Sequence, residues 1–310
     1  MSTISMVTKS KPHQIMTGVT RKLAQMGNQK AGRKLTVSNA IVALAIIVCF
    51  NLAYFPVWKR LLTFWIESED YSHGFLILPI SLYILWRKRY TLEQIPKKPS
   101  PWGISILGLS LLVYIFSEMA GIFTVASTSM LVTLAGIIVY MQGFGTLRTL
   151  SFPLLLLVFM IPIPAQIYSK LTIPLQLFVS DTSAACLYNV GVSLYQEGNV
   201  IQISGKAFQV VQACSGLRSL VSLLAIGGIY GHFTLKSNAL RVILFLAAVP
   251  AAIIVNIIRV TVLVAARYYL NMDLTTGAPH TALGGITFFM AFALIVGLKE
   301  VLTFWDVKTS

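Results

Sequence analysis

The residues best suited to covalent chemistry fall at four separated points of the chain. The first is Ala213-Cys214-Ser215-Gly216-Leu217-Arg218. A thiol at a helix start lies in the positive potential of unsatisfied backbone N–H groups, which favours the thiolate. Arg218 follows four residues later, one turn along the same face, and adds a cation. A thiolate held this way is a strong nucleophile, with Ser215 beside it as a supporting hydroxyl. The second point is Asn256 with Arg259, three residues apart and so on one helical face. A fixed cation with an amide donor next to it can stabilise the oxyanion of acyl transfer. The third is His280, which follows Gly277-Ala278-Pro279 at a loop-to-helix junction. An imidazole held rigidly there can serve as general acid and base near neutral pH. The fourth is Tyr71-Ser72-His73-Gly74, where His73 is read as structural or substrate-positioning. Each point has a plainer reading: Cys214 as a small packing residue, Arg259 snorkelling to the interface, and the two histidines as solvated interfacial rings. Cys49 and Cys186 have no basic neighbour in sequence and are read as packing residues.

The chain that must position these groups has 310 residues, 24 Lys plus Arg, 10 Asp plus Glu and a net charge of +14. It is 56% hydrophobic and only 11% charged. A soluble domain carries about 25% charged residues, so a water-soluble fold is excluded, and so is disorder of the whole chain. Lys and Arg gather in short stretches between apolar runs, as they do in cytoplasmic loops, and no nucleic-acid partner is expected. Three cysteines without a CxxC pair argue against a disulfide framework or a zinc site. Gly-rich phosphate loops, HExxH, GxSxG and the paired acids of a glycosidase are absent, and neither a metal nor a cofactor is expected.

Hydropathy predicts an all-α integral membrane protein, a bundle of about eight transmembrane helices. The spans are drawn at 37–57, 73–90, 103–119, 122–141, 149–166, 214–231, 240–265 and 281–299, the fifth broken by Pro162 and Pro164. Residues 1–36 form a basic tail, 37–300 the transmembrane domain and 301–310 a short C-terminal tail. No signal peptide is expected, because the first apolar run is too long and lacks a small-residue cleavage site. The basic loops around Arg87, Lys88 and Arg89, around Arg148, and around Lys236 and Arg241 place both termini in the cytoplasm. Residues 167–192 read as a short periplasmic amphipathic helix, and 193–212 as a β-hairpin around Ser204-Gly205. The five tryptophans, Trp65 among them, read as interfacial anchors. Glu118 is expected to cap the turn between the third and fourth spans, Glu69 and Asp70 to sit in a solvated outer loop, and Gly284-Gly285 to allow close helix packing.

This topology brings Cys214, Asn256, Arg259, His280 and His73 to one depth, the outer face. Polar residues at membrane depth are functional candidates by default, and their convergence counts for more than any one of them. Asp70-Tyr71-Ser72-His73-Gly74-Phe75, Ala213-Cys214-Ser215-Gly216-Leu217-Arg218-Ser219, Asn256-Ile257-Ile258-Arg259 and His280, taken in order, resemble the motifs of the exosortase/archaeosortase family. The resemblance covers about residues 37–300 and includes the number and order of spans. It implies a membrane cysteine transpeptidase with Cys214 as nucleophile, Arg259 as the accompanying cation and His280 as third member. Archaeosortases carry Arg in that third place, so His280 is similar to the bacterial branch.

The expected substrates are secreted proteins with a C-terminal sorting signal, typically Pro-Glu-Pro, an apolar segment and a basic end. The resemblance implies cleavage at the periplasmic face of a bacterial inner membrane and transfer to a cell-surface acceptor, an exopolysaccharide or lipid-linked molecule. Membrane lipid is the remaining expected partner. The alternative is a polytopic transporter or an export partner for exopolysaccharide without proteolytic activity. One-sided clustering of the polar residues disfavours transport, which needs them along a path through the bilayer.

Overall fold

The computed structural model describes residues 41–68, 71–203, 206–209 and 216–308. The tail 1–36, the pair Glu69 and Asp70, Cys214 and Ser215 lie outside the described residues, and so does the side chain of Arg218. The chain divides into two compact units, Met1–Lys59 and Arg60–Ser310. The first contributes helix α1 (Ile41–Ala53), on which Cys49 faces outward rather than into packing. Helix α2 (Phe55–Glu67) occupies much of what the sequence suggested was an outer loop. Leu61 and Trp65 recur on it one turn apart and both are buried, which is the helical signal the charges of Lys59 and Arg60 obscure.

In the second unit, α3 (Gly74–Arg87) and the short α4 (Arg89–Gln94) precede a helical hairpin of α5 (Trp102–Met119) and α6 (Phe123–Gln142). The turn between them uses Gly121 at φ 68°, a left-handed conformation suited to glycine. At the other end Gly103 lies against the backbone of Tyr140, so close that no Cβ could fit. Midway, the hydroxyls of Ser110 and Thr133 meet at 2.8 Å. Small residues and interhelical hydroxyl bonds are how membrane helices pack without a hydrophobic driving force. Glu118 does not cap this turn with its carboxylate: Oε2 lies 3.5 Å from Nη2 of Arg60, an ion pair on α2.

After α7 (Phe144–Thr149), α8 (Ser151–Leu156) runs into a tight 3₁₀ turn, Leu157–Met160, then a four-residue break. The chain resumes as α9 (Ala165–Asn189), bent 86° from the preceding segment. Prolines at 162 and 164 explain the break, since each lacks an N–H to continue a helix. The segment before it lies antiparallel to α3, held at three levels. His73 Nε2 meets Phe159 O at 3.0 Å, Ser81 Oγ donates to Pro153 O, and Lys88 Nζ donates to Thr149 O at 2.8 Å.

Three backbone groups at the break find side-chain partners. Trp65 Nε1 donates to Met160 O at 3.1 Å, Thr124 Oγ1 donates to Pro162 O at 2.8 Å, and Ile163 N donates to Tyr71 Oη at 3.2 Å. Irregular backbone at membrane depth is tolerated only when satisfied in this way. Trp65 is therefore a buried brace for the break, not an interfacial anchor, whereas Trp86 and Trp102 are exposed.

Helix α9 is helical where sequence suggested, but its two faces carry an unexpected division of labour. Small and polar Thr172, Ser180, Ser183 and Ala184 face the protein, while Ile167, Leu171, Ile173 and Phe178 are exposed. Cys186 is exposed on the same helix. An apolar outward face suits contact with lipid. The expected hairpin is present as β2 (Val200–Ile203) and β3 (Lys206–Gln209), and β1 (Tyr195–Glu197) makes it a three-stranded antiparallel sheet. Gln202 pairs with Tyr195 on one side and Ala207 on the other.

Three helices complete the chain: α10 (Gly216–Thr234), α11 (Asn238–Leu270) and α12 (Gly277–Lys308). Two apolar clusters share α11. Toward its start, Leu244, Ala248, Ala252 and Val255 pack with Leu223 of α10 and Ile295 of α12. Toward its end, Val260, Leu263 and Val264 pack with Val179 and Leu187 of α9 and with Ile201 and Ile203 of β2. Among the described residues four helices are long and apolar enough to cross a bilayer, or up to six if two broken pairs count as one span each. The difference from eight comes from two shorter apolar helices, Gly74–Arg87 and Ser219–Thr234, and from the broken pairs; the 14 residues of α3 reach only about 21 Å.

Replacing Trp65 by Phe keeps the ring and removes the donor, leaving Met160 O buried without its partner. That omission costs about 1–3 kcal/mol. The thermal midpoint in detergent is expected to fall by about 2–4 °C per kcal/mol. An unchanged midpoint would show that Trp65 does not brace the break.

Candidate active site at the Arg259–His280 pair

Arg259 sits where the two apolar clusters of α11 meet. It is only 8% exposed. Val255 of one cluster lies four positions before Arg259, and Val260 of the other follows at once. Helix α11 continues to Leu270 and stops at Asn271, which adopts a left-handed φ of 55°. Met272 N then caps the Ala266 carbonyl at 3.3 Å, and Arg267 Nη1 donates to Asn271 O at 3.0 Å. Gly277 at φ 67° turns the chain into α12, and Pro279 in its first turn gives up an N–H that has no helical acceptor. This return brings His280 back beside Arg259.

Arg259 Nη2 lies 2.9 Å from His280 Nε2. A guanidinium can only donate, so the ring nitrogen accepts through its lone pair, which requires a neutral imidazole with its proton on Nδ1. Gly284 makes the approach possible. A Cβ there would lie 3.3 Å from Nη2 and 3.6 Å from Cζ of Arg259. His280, Gly284 and Thr287 follow at helical spacings of four and three, so one face of α12 is turned to the guanidinium. A cavity of about 20 Å³ lies between Arg259, Asn256 and Ala252 of α11, Ser219 of α10 and Thr287 of α12. It has room for one water-sized group.

The electrostatics are unbalanced. Arg259 Nε is buried with no hydrogen-bond partner among the described residues, and no carboxylate there forms an ion pair with it. A buried cation without a counter-charge costs several kcal/mol after relaxation. Such a group is suited to receive an anion that arrives or develops during function.

Of the residues singled out by sequence, Arg259, Asn256 and His280 come together. His73 lies instead against Phe159 O in the 3₁₀ turn before the break. Cys214, Ser215 and the Arg218 side chain lie outside the described residues. Ser219, the next polar position on that helix, lines the Arg259 cavity. Three contributors were not singled out as site residues: Ser219, quoted only within its motif, Gly284, read only as a packing position, and Thr287. The helical spacing from His280 was the available signal for the last two. Tyr71, Trp65 and Thr124 were missed as supports of the break, because nothing in sequence says which carbonyl a side chain will reach.

A sequence model of the transmembrane exosortase family matches residues 65–297, which include this whole site. The chain belongs to the transmembrane exosortase family. No curated protein and no solved structure matches it significantly. As an exosortase it is a multi-pass membrane protein, in keeping with its long apolar helices.

His280→Ala removes the acceptor beside a buried cation and is expected to lower the thermal midpoint in detergent. His280→Gln, whose carbonyl oxygen can still accept, should recover much of that loss. Leaving a buried charged donor unpaired costs about 1–3 kcal/mol or more. Equal midpoints for wild type and both variants would mean that the contact carries no stability.

Proposed function

We propose that the chain is a cysteine transpeptidase of the inner membrane. On this reading it cleaves a C-terminal Pro-Glu-Pro-type sorting signal at the periplasmic face and transfers the secreted protein to a cell-surface acceptor. The observation that carries the reading is the buried Arg259 with His280 on its Nη2, beside a cavity lined by a residue five positions after Cys214. Family membership supports a sorting peptidase in general terms.

In the proposed reaction the substrate's apolar tail packs against the bundle and presents the scissile peptide at the outer end. The carboxylate of the arriving substrate's glutamate draws the guanidinium of Arg259 toward itself. That movement releases the Nε2 lone pair of His280. The imidazole then takes the Cys214 thiol proton, and the thiolate attacks the scissile carbonyl. The tetrahedral oxyanion is held by Arg259, with Asn256 as orienting donor. As it collapses, the C–N bond breaks and His280 gives its proton to the departing amine. A thioester remains on Cys214. His280 next takes a proton from the acceptor nucleophile, whose attack forms the new bond and returns the sulfur as thiolate. Arg218 supports the thiolate and Ser215 the substrate backbone.

Co-expression with a tagged Pro-Glu-Pro tail substrate tests this directly. Wild type is expected to yield a shortened product whose new C-terminus carries the mass of an acceptor. Cys214→Ala should leave the substrate intact while inserting normally. Arg259→Lys should slow processing by about 10²–10³-fold, the usual effect of losing one oxyanion donor. Normal processing by Cys214→Ala would overturn the nucleophile assignment.

A further inference from the structure

A second cavity among the described residues lies far from Arg259 and carries charge. It measures about 670 Å³ and lies between α3, α7, α8, α10 and α11. Lys88, Arg148, Arg241 and His232 line it, with no Asp or Glu among the lining residues. Apolar Leu155, Val158, Val242 and Phe245 also line it, and Phe152 lies against His232. Arg241 and Arg259 are 18 residues apart on one helix, so the two sites are separated by about 27 Å, nearly the thickness of a bilayer core.

The cations are positioned rather than loose. Lys88 Nζ donates to Thr149 O at 2.8 Å. Arg241 Nε donates to Leu235 O at 2.8 Å, and Nη1 donates to Asn238 Oδ1 at 2.9 Å. Those bonds use one of the three ammonium donors and two of the five guanidinium donors, leaving the others for a ligand. The His232 ring stacks on Phe152 with centroids 3.8 Å apart and 3° between planes, which closes one side. Burial, and then the nearby charge of Arg241, push the Lys88 ammonium below its ordinary pKa. Like charges held this close without an acid between them are stabilised by an anion.

We propose that this pocket binds the phosphate of an anionic membrane phospholipid, with an acyl chain along the apolar lining. Two guanidinium forks and an ammonium match a phosphate's oxygens, and basic pockets between membrane helices are suited to such head groups. The volume falls within the range of small-ligand sites, about 300–1,000 Å³. Cations and an apolar lining together ask for an amphiphile rather than a free ion. The proposal is independent of the transpeptidase reading, and its test does not use activity.

Native mass spectrometry of the full chain in detergent provides the test. The probes are phosphatidylglycerol, phosphatidylcholine with the same acyl chains, and inorganic phosphate. Phosphatidylglycerol is expected to be retained roughly tenfold better than phosphatidylcholine, the size of effect that charged hydrogen bonds give. The double variant Lys88→Gln/Arg241→Gln should lose that preference. Lys170→Gln, an exposed cation on α9, should keep it. Val242→Trp leaves the cations in place and adds bulk to the apolar lining at an exposed position, so it should also weaken lipid retention. Circular dichroism of each variant checks that the helices are intact. Equal retention of both lipids, an undiminished preference in the double variant, or phosphate binding as tight as lipid and unaffected by Val242→Trp would each overturn the proposal.

Discussion

The guanidinium of Arg259 is buried at the junction of two apolar clusters on one helix, and much of the surrounding architecture follows from keeping it there. Helix α11 must run on past the three-helix core, because its last turns carry the leucine and valines that α9 and the sheet cover. The chain must then double back so that His280 can accept from Nη2. Glycine at 284 leaves the guanidinium its room, since a Cβ there would lie 3.3 Å from Nη2. The contact itself imposes a chemical state, a neutral imidazole with a committed tautomer. Nothing among the described residues neutralises the cation. A fold that tolerates this is storing a preference for an anion at that point.

A second constraint is the sharp break between α8 and α9. A chain that turns 86° within a membrane protein exposes carbonyls and an N–H that lipid cannot satisfy. Trp65, Tyr71, His73 and Thr124 close that account from three other helical segments. The break is thereby fixed in position, and so is α9, whose small-residue face packs on the late turns of α11. Ser183 Oγ donates to Ile257 O at 3.3 Å across that contact, two residues before Arg259. The region around the catalytic candidate is thus supported from outside by elements that are themselves pinned.

Much of this was legible beforehand. Long apolar runs located α5 and α6 nearly to their ends and revealed α11 and α12, which run on to Leu270 and Lys308 beyond the spans drawn at 240–265 and 281–299, because a bilayer demands length and hydrophobicity that few other patterns imitate. The pairing of Asn256, Arg259 and His280 was accessible from charge topology alone. Other features were not. The continuation of α2 was hidden by Lys59 and Arg60, which look like a loop but ride on a helix whose other face is apolar. Trp65 belongs to a residue type that usually marks an interface, and only the three-dimensional course of residues 160–163 turns it inward. The outward apolar residues of α9 fit the interfacial helix read from sequence, but the protein-facing mixture of Val179 and Leu187 with Thr172, Ser180, Ser183 and Ala184 was not foreseen. Gly284 was seen as a packing position, but the space it provides is for a charged group.

On the transpeptidase reading Arg259 is kept for chemistry at a cost in stability. The measurement that tests it most directly is the thermal midpoint of Arg259→Met in detergent, taken with its processing of a Pro-Glu-Pro tail substrate. Replacing a buried unpaired cation by an apolar side chain of similar reach is expected to leave the midpoint unchanged or raised, while processing is lost. A midpoint lowered by several degrees with processing retained would contradict the account and make Arg259 a structural pin.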